Sequence, residues 1–153
     1  MKYAYYEVQY FSWWIYLIIA LVTALVTWAT IRRGVLLNVG LAVGMLLLVI
    51  VMILRMVTYI EGQSLKVYFG WVPVVKKTIL LSKIQDIREC SYHPMKQFGG
   101  WGWRYGMDGT QALTAKGTYG VCVRLENGDQ LIVGSSRSHT LAEAIRKVKN
   151  LGS

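Results

Sequence analysis

Two long stretches without formal charge constrain this chain more than any other feature. Residues 8–31 and residues 34–54 contain no Lys, Arg, Asp or Glu. A helix needs about 20 apolar residues to cross a hydrocarbon core of roughly 30 Å. Both stretches meet this requirement, so the sequence predicts a two-helix transmembrane hairpin over residues 13–55, with spans at about 13–31 and 35–54.

The connection between the two predicted spans is very short, which makes the helices antiparallel neighbours. Small residues recur on both of them: Ala20, Ala24 and Thr27 lie on one stripe of the first, and Gly40 and Gly44 are four apart in the second. Small residues at such spacings let helix backbones approach closely in lipid. The pattern is compatible with packing inside the hairpin, with contact between two copies of the chain, or with no role at all.

The predicted spans resemble an anchor more than a conduit. A transport protein normally carries ionisable groups at mid-bilayer depth, and the centres of both stretches have none. A cleaved signal peptide is also disfavoured, because the first stretch is longer than a signal core and ends at Arg32 and Arg33 rather than at small residues.

Aromatic residues crowd the first part of the chain. Residues 1–16 contain five Tyr, one Phe and two Trp. Tyr and Trp favour the membrane–water interface, where the ring is half in apolar surroundings and its polar atom stays hydrated. We therefore expect residues 1–12 to form an amphipathic or irregular interfacial lead-in, with Trp13 and Trp14 at headgroup level.

Residues 56–153 change to a period-two pattern that predicts short strands, followed by one amphipathic helix over Thr140–Asn150. Asn127-Gly128 is a strong hairpin signal, because both turn positions need positive φ. The helix carries an apolar stripe, and such a helix covers the open end of a strongly bent sheet. The fold class is therefore a membrane helical hairpin plus an α+β, mainly β domain. We expect a bent sheet of about seven antiparallel strands capped by a C-terminal α-helix, the plan of the pleckstrin-homology (PH) superfold.

The two cysteines, Cys90 and Cys122, lie outside any CxxC or Cys/His spacing, so neither a metal site nor a cofactor is predicted. Both fall in alternating apolar segments, and buried free thiols are expected. A disulfide would require the domain to face an oxidising compartment.

The most unusual segment is Gly99–Gly106, in which glycine and aromatic residues alternate. On a strand the aromatic side chains would project to one face and the glycines to the other. This pattern is compatible with a tight bend whose aromatics enter the core, or with an exposed contact surface; a nucleotide-binding loop is disfavoured because no helix follows. The interaction surface we predict consists of Phe98, Trp101, Trp103, Arg104 and Tyr105.

Basic residues give the chain a net charge of +9. Lys66, Lys76, Lys77 and Lys96 are predicted contacts for anionic lipid headgroups; the alternative is ordinary solubilising charge. No catalytic residues are assigned, because neither His93 nor His139 has an acid and an oxyanion hole placed beside it by the sequence. Nucleic-acid binding is disfavoured by the membrane tether.

Several blocks resemble one protein family. They are Tyr6–Gln9 ahead of an apolar span, Tyr92–Gly102 with its Pro and Gly residues, Gly117–Val121, and Leu131–Ser135 before the last helix. Together they resemble small bacterial two-span membrane proteins with a PH-like domain. The resemblance implies a PH-like domain at 56–153, placed on the cytoplasmic side of the bacterial inner membrane, and it implies little about activity.

We therefore expect a membrane-anchored, non-enzymatic module that binds protein partners, a second copy of itself, or anionic lipid headgroups. The alternative is an accessory structural subunit of a larger membrane complex. A lipid-acting enzyme or a transporter component is a weaker hypothesis.

Overall fold

The structure is a computed structural model that describes residues 3–32, 37–73 and 75–151. Within helix α2 the side chains of residues 37–41 and 51–53 also lie outside the description. The described chain forms an α+β fold with two sheets, of four and five strands, and a C-terminal helix.

The apolar stretches form helices α1 (Trp13–Arg32) and α2 (Leu37–Ile53), close to the predicted bounds. Among the described residues one helix, α1, is long and apolar enough to cross a membrane. α2 contacts α1 along its length. The Tyr16 hydroxyl donates a hydrogen bond to the Leu54 carbonyl at 2.7 Å, which ties the start of α1 to the end of α2.

The helix pair uses a different face from the one predicted for packing within the chain. Ala20, Ala24 and Thr27 are exposed, and a Cβ added at Gly44 would have no neighbour within 4 Å. The surroundings of Gly40 lie outside the described residues. Most of the partly buried positions of α1 are larger, and they recur at spacings of three or four: Ile15, Tyr16, Ile19, Thr23, Val26, Ala29 and Thr30. Larger side chains therefore fill the contact between the two helices. For the small residues, two of the predicted alternatives remain: contact between two copies of the chain, or no role.

The predicted irregular lead-in is wrong, because Tyr5–Tyr10 forms strand β1. β1 pairs antiparallel with β2 (Arg55–Glu61), from Tyr5 opposite Ile60 to Tyr10 opposite Arg55. The segment alternates buried and exposed residues, as a half-buried strand does. The boundary predicted at residue 56 therefore divides one sheet, and the helical hairpin is an insertion between its first two strands.

The four-stranded sheet is an antiparallel meander in the order β1-β2-β3-β4, with β3 at Ser64–Phe69 and β4 at Val75–Leu80. Its inner face contributes apolar side chains to the main core, including Met56, Ile60 and Leu65. Burying each such side chain is worth about 1.5–3 kcal/mol.

A single 3-10 turn at Leu81–Lys83 leads into the five-stranded sheet. Its strands are β5 (Ile84–Ser91), β6 (Gly102–Tyr105), β7 (Gln111–Thr114), β8 (Tyr119–Leu125) and β9 (Gln130–Gly134). A short helix α3 (Pro94–Phe98) joins β5 to β6. The spatial order is β5-β8-β9-β7-β6, and the β7–β9 pair is parallel.

The prediction of about seven antiparallel strands is therefore too low in number and wrong for this one pair. The β7–β9 pair is parallel because β8 intervenes in the chain between them, and β9 returns between β7 and β8. The arrangement of two sheets and a C-terminal helix is a coarser description than a PH-like fold, which stays a prediction.

The C-terminal helix α4 (Ser138–Leu151) covers one end of the core, as predicted. Leu141, Ala142 and Ile145 are buried, and Val148 packs against the same cluster. Arg146 donates a hydrogen bond from its guanidinium to the Ile87 carbonyl at 3.0 Å, which fixes α4 over β5.

The predicted free thiols are wrong: Cys90 on β5 and Cys122 on β8 form a disulfide, with their Cα atoms 5.8 Å apart. Arg88 lies opposite Cys122 and Cys90 lies opposite Gly120, so the bond joins diagonal positions of neighbouring strands. The apolar alternation that suggested burial was correct only in part, because both cysteines are half-buried.

Candidate functional site on the helix-proximal surface

The surface of the domain from which α1 and α2 leave is defined by the end of the β1–β2 pair. Tyr10 and Arg55 are opposite each other at this end. The backbone N–H of Gly70 donates to the Arg55 carbonyl at 2.6 Å, which brings the β3–β4 turn to the same level. We call this area the helix-proximal surface, and its residues are Tyr10, Ser12, Arg55, Trp71, Val72, Trp101 and Lys116.

One side of the helix-proximal surface pairs a cation with an exposed ring. The Arg55 guanidinium carbon lies 4.6 Å from the centroid of the Trp71 ring, a cation–π distance. Trp71 is 60% exposed and Val72 is 68% exposed. The Nε atom of Arg55 is buried and has no hydrogen-bond partner among the described residues. An exposed apolar turn thus projects beside a half-buried guanidinium.

A second aromatic contact lies where α1 begins. The rings of Trp14 and Trp101 meet edge to face with centroids 6.0 Å apart. The indole N–H of Trp101 donates to the Gly117 carbonyl at 3.2 Å. Trp14 is in the first turn of α1, so this contact places Trp101 and the β7–β8 loop beside the helix.

Beneath this loop is an open polar cavity of about 430 Å³. Its lining includes Ser12, which precedes α1, and Lys116, which is exposed and has no acidic partner among the residues that the structure describes. The other lining residues are Gly117, Thr118, Tyr119, Ser135, Ser136 and Ser138. The cavity therefore presents one free ammonium group among hydroxyls, next to the start of α1.

A buried carboxylate forms the deep side of this region. Glu7 on β1 is 5% exposed and accepts hydrogen bonds from the Tyr5 and Ser135 hydroxyls, both at 2.6 Å, and from the Ser136 N–H at 3.0 Å. Burial, and then the hydrogen bond to Glu7, raise the pKa of Tyr5 well above its ordinary value. We call this arrangement the Glu7 node. It joins β1 to the link between β9 and α4, and its donors are engaged within the chain.

The predicted interaction surface, Phe98–Tyr105, is divided by the structure. Trp101 belongs to the helix-proximal surface, whereas Trp103 packs against the main core. Arg104 and Tyr105 are exposed on β6. Phe98 packs edge to face on Tyr92, at a centroid distance of 6.4 Å. Gly99, Gly100 and Gly102 all have positive φ, so the glycines bend the backbone here and the aromatics do not form one continuous face.

The four predicted headgroup lysines are also separated. Lys76 and Lys77 begin β4, directly after the exposed turn at Trp71, and Lys77 lies 5.9 Å from the Trp103 ring. Lys66 is farther along the sheet and bridges Glu61 at 2.6 Å. Lys96 lies on α3. Arg55, Trp71, Ser12 and Lys116 were not predicted for the site, although a cation at the end of a span, as at Arg55, is a usable signal.

Phe98 and Lys96 instead line a second cleft, of about 380 Å³, on the outer face of the five-stranded sheet. Arg88 on its rim pairs with Asp86 at 3.0 Å. Asp108 accepts hydrogen bonds from the backbone N–H and the hydroxyl of Thr110, and these bonds lower the pKa of Asp108. The acidic residues of this cleft are thus engaged with neighbours inside the chain.

The histidine considered for catalysis takes part in a surface ion pair. His139 Nδ1 lies 2.8 Å from Glu89 and its Nε2 lies 3.3 Å from Glu143. The hydrogen bond with Glu89, and then the charge of Glu143, raise the pKa of His139. Both partners and His139 itself are substantially exposed, so the arrangement is that of a surface network. Among the described residues no group of three or more His, Cys, Asp or Glu is placed to hold a metal ion.

No protein-family model and no curated protein matches this chain. The resemblance to bacterial two-span proteins with a PH-like domain therefore stays a prediction from the residues that carry it.

Proposed function

We propose that this protein is a non-enzymatic, membrane-anchored binding module whose helix-proximal surface contacts anionic lipid headgroups. The observation that supports it most directly is that two aromatic and basic groups, Arg55 with Trp71 and Trp101 with the loop that carries Lys116, both lie where α1 and α2 leave the domain. The aromatic and basic residues come from separate parts of the chain. The fold brings them together at the level where a bilayer surface would lie.

The chemistry of this surface suits a lipid headgroup region. Trp and Tyr rings favour the interface, and long cations reach from apolar surroundings toward phosphates. Each well-placed Lys or Arg contributes about 1 kcal/mol at an anionic surface. Arg55 and Lys116, with Lys77 near the same end of the sheet, would stabilise one orientation of the domain against the membrane.

The hairpin in this proposal is an anchor, and the domain is PH-like. Anchoring keeps the module close to the bilayer and so raises its effective concentration for partners there. Two sheets closed at one end by α4 support the PH-like proposal, and the parallel β7–β9 pair is the departure from it. Protein partners in the same membrane, or a second copy of the chain, are the proposed macromolecular ligands.

The sidedness that we propose is opposite to the cytoplasmic placement expected from the sequence. Structural disulfides persist in oxidising compartments, and Cys90–Cys122 joins the edge strand β5 to β8. The excess of basic residues that marks cytoplasmic segments favours a cytoplasmic domain by only a small margin, because Arg32 and Arg33 lie on one side and Lys2, Arg55 and Lys66 on the other. In the variant Lys147→Cys, we expect a membrane-impermeant maleimide to label the introduced cysteine in intact cells. Protection of that cysteine until the cells are lysed would place the domain in the cytoplasm.

The headgroup contact is tested with the full chain in nanodiscs. One set contains phosphatidylcholine alone and the other contains phosphatidylglycerol in addition. We expect amide exchange in the Trp71 turn and at Trp101 to slow in the anionic discs, because the headgroups order these segments. The variant Arg55→Gln/Lys116→Gln should lose this difference.

The matched control replaces one Arg and one Lys elsewhere on the domain, as Arg124→Gln/Lys147→Gln. Both residues are exposed, and Lys147 lies nine residues into α4, about 13 Å along the helix from Ser138. The control should keep the lipid-dependent protection. Equal exchange in the two kinds of disc, or equal loss in both variants, would contradict specific headgroup contact by the helix-proximal surface.

A second candidate function, accessory subunit of a membrane complex, is favoured by one observation. The small residues Ala20, Ala24, Thr27 and Gly44 are left uncovered by the hairpin. Close packing of another transmembrane helix is what such residues permit. Stoichiometric copurification of a second membrane protein that is lost in Ala20→Leu/Ala24→Leu would favour the subunit. A monodisperse single-chain particle in mild detergent would favour the module.

A further inference from the structure

The outer face of the four-stranded sheet carries a connected group of tyrosines. Tyr3 meets Tyr6 at a centroid distance of 5.7 Å and Tyr59 at 5.3 Å, and Tyr59 meets Tyr68 at 6.1 Å. Lys66 lies 5.7 Å from the Tyr59 ring. We call these five residues the tyrosine face. The rings come from β1, β2, β3 and from Tyr3, two residues before β1; Tyr3 and Tyr6 are exposed, and Tyr59 and Tyr68 are half-buried.

The strand register explains why the group is continuous. Tyr6, Tyr59 and Lys66 lie directly opposite one another across three strands, and Tyr68 lies opposite Lys76 on the fourth. Neighbouring side chains on one face of an antiparallel pair are about 5 Å apart, so the rings form a layer. Such rings provide large contact area at a low cost in side-chain entropy, which is why Tyr is enriched at protein interfaces.

The charges around the tyrosine face indicate the sign of the charge that its partner carries. Lys66 is bridged to Glu61 at 2.6 Å, and Lys76 is exposed and has no acidic partner among the described residues. At the β1 edge the Arg137 guanidinium donates to the Tyr6 carbonyl at 2.9 Å. Lys66 and Lys76 therefore lie on the face of the rings against one acid, and Arg137 adds a charge at the edge, where its guanidinium also lies over the inner ring of Tyr5 at 5.4 Å. Two copies of this face would bring like charges together, which disfavours a self-complementary dimer.

Distance argues against a lipid occupant. Tyr6 precedes Tyr10 by four residues, so its row lies about 13 Å along the strands from the helix-proximal surface. This distance exceeds the Debye length of about 10 Å at 0.1 M salt, so headgroup charge is largely screened at Tyr6, Tyr59 and Lys66, whereas Tyr68 and Lys76 lie about 7 Å along the strands from that surface. A protein segment that stands away from the bilayer can reach this row.

We propose that the tyrosine face binds an acidic segment of the extramembrane part of another membrane protein. The rings supply contact area, and Lys66, Lys76 and Arg137 supply charge complementarity. This segment would be the protein partner of the module proposed above. The inference depends on that proposed function in one respect, that the chain is anchored in the membrane.

The test uses the full chain in its native membrane with the photocrosslinker p-benzoyl-L-phenylalanine replacing Tyr6 or Tyr68. We expect each to give a protein adduct whose crosslinked peptide is rich in Asp and Glu. The same replacement at Tyr105, an exposed tyrosine on the edge strand β6, is the matched control and should give none. The charge reversal Lys66→Glu/Lys76→Glu should lower the adduct yield about tenfold, the effect of 1.4 kcal/mol.

Four results would overturn the proposal: adducts between two copies of this chain, adducts with lipid alone, adducts at Tyr105 as strong as at Tyr6, or yields unaffected by charge reversal. If the charge-reversed chain fails to fold, judged by its thermal unfolding in detergent, Lys66→Gln/Lys76→Gln replaces it and should lower the yield several-fold. Arg55→Gln/Lys116→Gln should keep the Tyr6 adduct, so failure of the headgroup contact and failure of this proposal give different results.

Discussion

The two sheets of this domain are held to the rest of the molecule by different means. The four-stranded sheet is a local meander, but its first two strands are separated in the chain by the whole helical hairpin. It is joined to the other sheet through the buried Glu7 node. The five-stranded sheet has a non-sequential order and a covalent bond between β5 and β8.

The difference shows how a helical hairpin inserted between two strands is accommodated in the fold. In the sheet that contains the hairpin insertion, the Glu7 node holds the first strand, β1, to residues distant in the sequence. The sheet without the hairpin insertion carries the disulfide, the parallel pair and the packing of α4 on β5. We expect changes to one set of contacts to affect mainly its own sheet, and the following experiments test that separation in order of expected size.

The largest effect should come from removing the disulfide. In Cys90→Ala/Cys122→Ala the loop spanned by a sequence separation of 32 is no longer closed in the unfolded chain, which corresponds to about 3–4 kcal/mol of unfolding free energy. Urea unfolding in detergent measures it, and amide exchange should accelerate first in β5 and β8. Treatment of the wild-type chain with a reductant should reproduce the loss, and reductant should leave the variant unchanged. A variant whose free energy of unfolding lies within about 0.5 kcal/mol of the wild-type value would contradict this expectation.

Next in size is the loss of the Glu7 node. Glu7→Ala leaves buried donors of Tyr5, Ser135 and Ser136 without their shared acceptor, and unsatisfied buried groups cost about 1–3 kcal/mol each. Because Tyr5 and Ser135 still face each other at 3.2 Å, we expect a total loss of about 2–3 kcal/mol. Amide exchange should accelerate in β1 before β8. Glu126→Ala, at an exposed position, is the control and should change the free energy by less than about 0.5 kcal/mol.

A smaller effect is expected at a glycine pair in the five-stranded sheet. Gly120 on β8 lies opposite Gly134 on β9, and a Cβ at Gly120 would collide with the Val133 carbonyl. Gly120→Ala should cost about 1–3 kcal/mol, because the clash is with backbone that cannot rotate away. Gly44→Ala is the control, since a Cβ there meets nothing. Equal stability of both variants would show that β8 and β9 separate at little cost.

The smallest effect should be the pH dependence of the His139–Glu89 contact. The pKa of His139 is raised in the folded chain, so its contribution is fully present below the ordinary value of 6.5 and is lost as pH rises through the folded pKa. Wild type and His139→Gln should therefore converge in stability at alkaline pH and differ slightly in the acidic range. NMR titration of the ring checks the direction, and a folded pKa below 6.5 would reverse it.

Much of the secondary structure followed from the sequence. Absence of charge set the bounds of α1 within one residue, and period-two alternation located β2 through β9. The apolar spacing of Leu141, Ile145 and Val148 predicted the face that α4 buries. These features depend on local periodicity, which is a property of consecutive residues and needs no knowledge of distant partners.

Only the tertiary structure determined which elements and residues are neighbours. The Tyr-rich start of the chain was compatible with an interfacial segment until its pairing with β2, across the whole hairpin, made it a strand. The disulfide, the Glu7 node and the meeting of Trp14 with Trp101 all join residues far apart in the sequence. Hydrophobic periodicity fixes which face of an element is buried, but partners and register depend on the free energy of the whole packed domain. For that reason the sequence alone determined most of the elements, and the fold determined the surfaces on which the proposed functions rest.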